Sequence, residues 1–352
     1  MPALPKINWP ECAAKLAAAF PLARLHPAVR RLADEPRALR GAWTVAFSGG
    51  ADSLALLLLL WAHWPERRAK LVALHFNHRL RGKAARADEL FCRRVCRALS
   101  VRFGSDRWRN APRRASEAQA REERFRFFAR EMRAWRATAL WLGQQQDDVA
   151  ETMLMRLARG SGVAGLAAPR PMQRVAGRIH LRPLLTLKKA ELAAALRQAG
   201  AVWCEDASNG ADDYLRNRIR RRVLPAWSRA VRGRDVLAGV ALARELIEED
   251  NQALEAWLDR IDPVLPDRTL DLRRLAGCPR ALLRRALHRW VQVQPKAGEL
   301  SRRGFASLLS AVETNRPGRQ SLGVNGFAVI RRTRLRFESG AGQPSQSARK
   351  SL

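Results

Sequence analysis

Ser48-Gly49-Gly50-Ala51-Asp52-Ser53 follows an apolar run at 43–47 and precedes a run of leucines. That order predicts a strand, a tight polar turn and a helix start. Adjacent glycines let a backbone approach an anion closely, and the amides of a new helix N-terminus, with the hydroxyls of Ser48 and Ser53, supply donors. The segment therefore reads as a phosphate cradle. It lacks the Lys of the Gly-x-x-x-x-Gly-Lys-Ser/Thr loop and the third glycine of the dinucleotide fingerprint, so neither common nucleotide motif fits. The carboxylate of Asp52 is misplaced beside phosphates unless it faces outward or holds a divalent cation, which makes it the candidate ligand for Mg2+.

Three further constellations carry charge suited to chemistry. In Gly143-Gln144-Gln145-Gln146-Asp147-Asp148-Val149-Ala150-Glu151-Thr152, Asp148 and Glu151 lie three apart on one helix face, where together they could hold a cationic amine. Asp147 suits a helix N-cap, and acidic residues in a first turn are favourable on dipole grounds alone. In the helix predicted over 116–136, Phe125 and Phe128 form a buried stripe between arginines, and Arg121 on its first turn is placed to reach a triphosphate or an RNA phosphate. Tyr214-Leu215-Arg216-Asn217-Arg218-Ile219-Arg220-Arg221-Arg222 packs cations that repel one another by about 1 kcal/mol per close exposed pair unless an anion lies among them. RNA phosphate is that anion in the sharper reading, and a solvated helix end is the plainer one. His75 and His78 are three apart, but no third ligand is spaced to complete a metal site, so a structural or nucleotide-side role is the better reading.

The elements that must position these residues alternate. Strands are predicted over 43–47, 71–76, 101–104 and 137–142, and helices over 53–63, 84–99, 116–136 and 147–159. Alternation of this kind means an α/β fold, a parallel sheet with crossover helices on both faces. Ligands of such sheets bind beyond the carboxyl ends of the strands, where residues 48–53 and 143–148 both fall. A further helix is expected over 188–199 and another from 214 to about 223, with Pro225 near its end. The domains predicted are an N-terminal helical extension (1–40), an α/β domain that carries the constellations above (41–225), a mostly helical domain closed by a hairpin over 320–324 and 327–337 (226–338), and a disordered tail (339–352).

Among 352 residues, 65 are basic and 33 acidic, a net charge of +32. Coding bias exchanges Lys for Arg but does not create a two-to-one excess of cations, so a polyanion is expected as partner, nucleic acid before an anionic membrane surface. No apolar run is long enough to span a bilayer, and no signal peptide is read at the N-terminus. Five scattered cysteines, never in a Cys-x-x-Cys pair, read as reduced thiols of a cytoplasmic protein.

The Ser-Gly-Gly-x-Asp-Ser pattern is similar to the loop of the synthetases that split ATP to AMP and pyrophosphate. With His-x-Asn-His-x-Leu-Arg at His75, Ala-Arg-x-x-Arg-x-x-Phe-Phe at Ala120, Asp-Asp-x-x-Glu-Thr at Asp147, Arg-Gly-Ser-Gly-Val-x-Gly-Leu at Arg159, Glu-Asp-x-Ser-Asn at Glu205 and Tyr-x-Arg-Asn-x-Ile-Arg at Tyr214, residues 40–225 resemble the tRNA(Ile)-lysidine synthetase family. The likeness is weak beyond Pro225. The resemblance implies a PP-loop ATP pyrophosphatase fold, ATP as co-substrate with Mg2+, and L-lysine and the CAU-anticodon tRNA(Ile) as substrates. It implies adenylation of the wobble cytidine at its C2 oxygen and displacement of AMP by lysine. Ser48, Gly49, Gly50, Ala51, Asp52 and Ser53 then hold the nucleotide, with Asp52 on the metal. Asp148 and Glu151 hold the lysine ammonium, Arg121 acts beside them in catalysis, and Arg216 and Arg220 bind substrate. A homodimer is compatible with this reading. Members often carry His where this chain has Gln144 and Gln145, which leaves only amide hydrogen bonding at those positions. A thiolase on the same scaffold requires the cysteine pairs that this chain lacks, and a catalytically inactive RNA-binding relative has no need of Asp52, Asp148 and Glu151.

Overall fold

The computed structural model describes residues 7–35, 38–78, 83–109, 111–112, 116–205, 214–294, 300–322 and 326–339. Arg79 and Arg81, the polar segment 206–209, Asn325 and the tail from 340 lie outside the described residues. The chain divides into two compact units, Met1–Glu248 and Glu249–Leu352.

In the first unit, α1 (Trp9–Ala19) and α2 (Pro27–Asp34) precede an alternating series. It runs β1 (Trp43–Ala46), α3 (Ala51–His63), β2 (Leu71–Asn77), α4 (Lys83–Ala98), β3 (Arg102–Arg107), α5 (Glu117–Ala134), β4 (Ala139–Trp141) and α6 (Gln146–Ala158). A short α7 (Val163–Leu166), a hairpin of β5 (Met172–Val175) and β6 (Arg178–Leu181), and α8 (Lys189–Gln198) follow. The sheet order is β3-β2-β1-β4-β6-β5. Every neighbouring pair is parallel except β5 with β6, and Trp43 of β1 lies opposite both Leu71 and Ala139. The predicted parallel sheet is thus present.

Burial on both faces explains why its central strands β1, β2 and β4 are largely apolar. Side chains of successive strand residues point to opposite faces. Trp43, Val45 and Phe47 join the core made with α1, α3 and α8, whereas Val72, Leu74 and Leu140 pack with Phe127, Phe128 and Met132 of α5. Trp43 sits against Trp141 at 4.7 Å and Trp64 at 5.6 Å. Leu54 to Leu60 of α3 are all buried, so this helix is apolar all round because neighbours surround it. Ser116 and Gln119 cap each other at the start of α5.

The hairpin β5–β6 carries no signal in the reading above. Its strands are four residues each, and Arg174 and Arg178 interrupt any apolar run. Its consequence is large, because β6 adds to β4 in parallel and extends the sheet by two strands. The helix expected from 214 also differs: α9 (Leu215–Arg218) passes through a π-helical turn, Ile219–Val223, into α10 (Leu224–Ala230). Pro225 therefore lies in the first turn of α10, where its missing N–H costs little.

The helix α11 (Val236–Ile261) contains the division between the units. The second unit holds β7 (Leu270–Asp271), α12 (Arg280–Gln292), α13 (Arg302–Glu313), β8 (Gly318–Ser321), β9 (Gly326–Arg331) and β10 (Arg334–Ser339). Its core gathers Leu282, Leu287 and Trp290 of α12 with Ile330 and Leu335 of a four-stranded sheet ordered β7-β10-β9-β8. The segment 327–337, expected as one arm of a hairpin, is two antiparallel strands. Arg332, at φ 54°, turns the chain without the Gly or Asn that usually marks such a turn.

The core assignment is checked by Leu57→Ala, which removes a fully buried side chain of α3. Urea denaturation is expected to show a loss of about 2–5 kcal/mol. Leu242→Ala, at a residue 57% exposed, is expected to stay within about 0.5 kcal/mol of the parent. Equal losses would place the core elsewhere.

Candidate active site

The loop after β1 and the loop after β4 meet where the strand order reverses, the crevice in which open α/β sheets bind ligands. Gly143 makes the meeting close: a Cβ on it would lie 2.8 Å from the carbonyl oxygen of Asp52. Gly49 holds φ at +93°, and a Cβ there would come within 3.0 Å of Cys92 Sγ and 3.2 Å of Cys204 Sγ. Both positions therefore require glycine. The backbone N–H of Ser48 donates to Ser53 Oγ at 3.2 Å, the two serine hydroxyls are 3.0 Å apart, and Ser53 Oγ donates to the Gly50 carbonyl at 3.0 Å. Gly50 caps α3 without a side chain, and Ala51 and Asp52 open its first turn. The loop is thus closed on itself, with helix N-terminal amides and two hydroxyls at its mouth. His75 braces its entry, since Nδ1 of the ring lies 3.0 Å from the carbonyl oxygen of Phe47 and a carbonyl there requires that nitrogen to carry the proton.

Asp52 is the strained member electrostatically. Its Oδ1 is buried with no hydrogen-bond partner. Burial raises its pKa from 3.8 to about 6, opposed by the ammonium of Lys189 and helped by the charge of Asp148. A single carboxylate oxygen free of partners, beside a phosphate cradle, fits a hard cation that takes its remaining ligands from phosphates and water.

Across the crevice, α6 presents Asp148 and Glu151 on one face, as their spacing requires. Asp147 does not cap its own helix. Gln145 takes the N-cap position, its Oε1 accepting from the Asp147 N–H at 2.6 Å, while Asp147 Oδ2 accepts the Lys189 N–H at 3.0 Å at the start of α8. Asp148 Oδ2 accepts the Gln145 N–H at 3.0 Å.

The remaining oxygens of Asp148 and Glu151 are covered by arginine. Arg216 donates from Nη2 to Asp148 Oδ1 at 2.5 Å and from Nε to Glu151 Oε2 at 2.7 Å. Arg220 donates to both oxygens of Glu151, at 2.5 and 3.0 Å. Burial pushes Asp148 up, with Arg216 pulling against it. Arg216 and Arg220 are four apart, so the turn from α9 into the π-helical segment aims both at α6.

A second group of cations has no such partners. Arg182, 3% exposed, donates to neutral acceptors: the Gln144 side-chain carbonyl, the Arg170 carbonyl at 2.8 Å and Gln173 Oε1 at 3.3 Å. Burial lowers its pKa to about 10, and the charge of Arg121 adds to the effect. Burial likewise lowers Arg124 to about 10, with Arg121 and Arg216 adding, and its Nε is buried without a partner. Arg121 lies 4.8 Å from the ring of Phe125, which His180 approaches at 5.4 Å from centroid to centroid. Burial, then Arg182 and Arg121, lower the His180 pKa to about 4, so this imidazole is neutral at pH 7. Among the described residues no carboxylate pairs with Arg121, Arg124 or Arg182, and an anion among them would relieve their mutual repulsion. Arg182 and Arg124 are absent from the sequence-based list. A cation directly before the apolar Pro183-Leu184-Leu185 run was the available signal for Arg182.

A family model described as the PP-loop domain matches residues 25–227. The chain belongs to this PP-loop family. Curated relatives named tRNA(Ile)-lysidine synthase include one from Pseudomonas syringae pv. tomato, 43% identical over 215 residues that cover 59% of this chain and 47% of the relative. A second, from Bacillus licheniformis, is 34% identical over 257 residues, 68% of this chain and 52% of the relative. A third, from Bradyrhizobium sp., is 37% identical over 228 residues, 64% and 62% of the two chains. The chain spans about half the length of the first two. The PP-loop assignment covers the whole of the crevice, from the loop after β1 to Arg216 and Arg220.

The state of Asp52 sets a pH dependence. A carboxyl whose folded pKa lies above its unfolded value lends stability that is fully present below the unfolded pKa and is lost as pH rises through the folded one. Asp52 therefore subtracts stability progressively between pH 3.8 and about 6, and by a constant amount above. The full amount is roughly 3 kcal/mol at most. In EDTA, Asp52→Asn is expected to resist urea better than the parent at pH 7.5, with the difference closing by pH 4. A difference independent of pH would contradict the assignment.

Proposed function

We propose that this protein uses ATP to attach L-lysine to C2 of the wobble cytidine in a CAU-anticodon tRNA(Ile), in the cytoplasm. The observation that carries the reading is the placement of a phosphate loop and a buried carboxylate pair on the two sides of one crevice, in a chain whose relatives are named tRNA(Ile)-lysidine synthase. The charge of +32 supports a polyanionic substrate.

The amides of the loop from Ser48 to Ser53, with the two hydroxyls, hold the triphosphate. Asp52 would hold Mg2+, which would neutralise charge on the phosphate oxygens. Arg121, with Arg124 and Arg182, faces the phosphoryl group or the RNA phosphate beside it. The cytidine C2 oxygen attacks the α-phosphorus and pyrophosphate leaves. A carbonyl oxygen is a poor leaving group, and adenylation makes it a good one. The lysine amine then attacks C2, and the oxygen departs with AMP. The protein's contribution is position and charge more than covalent chemistry.

Arg216 and Arg220 refine the role of Asp148 and Glu151. With both carboxylates already neutralised by guanidiniums, an ammonium entering the cluster meets little net negative charge, which favours its neutral, nucleophilic form. Asp148, its pKa pushed up by burial, is suited to take the proton. Sulfur transfer fits less well. Burial pushes the Cys96 thiol to about 12 and the Cys92 thiol higher, so neither is a thiolate at neutral pH.

The test supplies ATP, labelled lysine and tRNA transcripts. Label is expected in the CAU isoleucine transcript and not in one whose anticodon cytidine is replaced by uridine. Absence of label, or pyrophosphate release that needs no RNA, would sink the proposal.

A further inference from the structure

The carboxyl ends of β2 and β3 open onto a groove of about 750 Å³, lined in part by Phe76, Trp108 and five arginines. Two of those arginines are neutralised. Arg126 pairs with Glu122 at 2.7 Å and Glu123 at 2.5 Å, and Arg130 pairs with Asp106 at 2.8 Å and Glu131 at 3.1 Å. The other three, Arg107, Arg109 and Arg133, are exposed and have no ion-pair partner among the described residues. The groove therefore carries surplus positive charge beside the carboxyl ends of β2 and β3, on the side of the sheet where the phosphate loop follows β1.

A row of rings accompanies the cations. Phe127 stacks on Phe76 at 5.5 Å, Phe76 meets the edge of His78 at 4.9 Å, and His78 meets the edge of Trp108 at 6.4 Å. Trp108 is only half-buried, and its backbone N–H donates to the Asn77 carbonyl at 2.9 Å, which carries the β2–β3 ladder one residue further. An indole is thus held at a strand end in the same groove as three guanidiniums that have no ion-pair partner among the described residues. Phosphates satisfy the cations and a base satisfies the ring, which is the chemistry of single-stranded nucleic acid. An acidic peptide would use the cations and leave the indole without a partner.

We propose that this groove binds a single-stranded stretch of the RNA substrate, with phosphates on Arg107, Arg109 and Arg133 and a base stacked on Trp108. The RNA so held leads towards the crevice, because β2 and β1 are adjacent and His75 ties the end of β2 to the start of the phosphate loop. This inference rests on the RNA-modifying reading above and adds where the substrate lies.

The test uses the full chain and a labelled anticodon stem-loop RNA, read by fluorescence anisotropy over a range of salt concentrations. The combined variant Arg107→Ala, Arg109→Ala, Arg133→Ala is expected to bind roughly 10-fold or more weakly and to lower the slope of log affinity against log salt by about 2. Trp108→Ala is expected to weaken binding by about 5-fold or more, and Trp108→Phe to restore most of it. The thermal shift produced by ATP with Mg2+, which needs the crevice and not the groove, is expected to be unchanged, and it also certifies the fold of each variant. Parental affinity and salt slope in the triple variant would overturn the proposal, as would loss of the ATP-induced shift together with RNA binding. If the parent chain binds no RNA, the RNA-modifying reading itself fails and the groove proposal with it.

Discussion

Two carboxylates buried on one face of α6 have to be neutralised, and the way this is done organises the first unit. Glu151 is fully buried and Asp148 nearly so, and neither survives there as an isolated charge. Arg216 and Arg220, more than sixty residues further along the chain, supply the counter-charges through four contacts between 2.5 and 3.0 Å. Removing one partner of such a buried pair typically costs about 3–5 kcal/mol, because the other is left uncompensated. The segment from α9 through the π-helical turn is therefore fixed against α6, and the floor of the crevice with it. A second consequence is electrostatic: the two carboxylates are balanced by guanidiniums of the same unit, and under the proposed function that balance lets an amine enter without being held as an ammonium.

The opposite wall depends on the sheet. Because β4 lies beside β1 and not beyond β3, the loops after these two strands face each other, and Gly143 allows the contact with Asp52 that a larger residue would block. Asp52 pays for this position with a raised pKa and an unpartnered oxygen, a local instability that a cation between it and phosphate would relieve. The arginines without carboxylates, Arg121, Arg124 and Arg182, form the complementary imbalance. One side of the crevice lacks a cation and the other lacks an anion, which is the arrangement a metal-bound polyphosphate fits.

Much of this was legible in the residues because it is local. The phosphate loop sits between a strand and a helix, so the change of hydrophobic period around Ser48 to Ser53 announces both. The i, i+3 relation of Asp148 and Glu151 likewise follows from helical geometry alone. What was not legible is non-local. The densely charged run from Arg216 to Arg222 reads as an RNA surface before a solvated helix end, and only the fold shows that its first and fifth residues turn inwards to α6. Gln144 and Gln145 read only as amides able to hydrogen-bond, and the partners, Arg182 for one and the helix N-terminus for the other, come from the fold. The hairpin β5–β6 escaped because each strand is too short, and too rich in arginine, to show a period of two. The turn at Arg332 escaped because its left-handed backbone is held by a residue that seldom adopts it.

In the proposed function the carboxylate cluster serves the amine and the phosphate loop serves the nucleotide, as separable halves of one reaction. The most direct measurement is a single-turnover comparison of RNA-dependent pyrophosphate release and lysine transfer in Glu151→Gln, with circular dichroism confirming the fold. Pyrophosphate release is predicted to stay within about 10-fold of the parent while lysine transfer falls by about 100-fold or more. Lysine transfer at the parental rate, in a folded variant, would contradict the account.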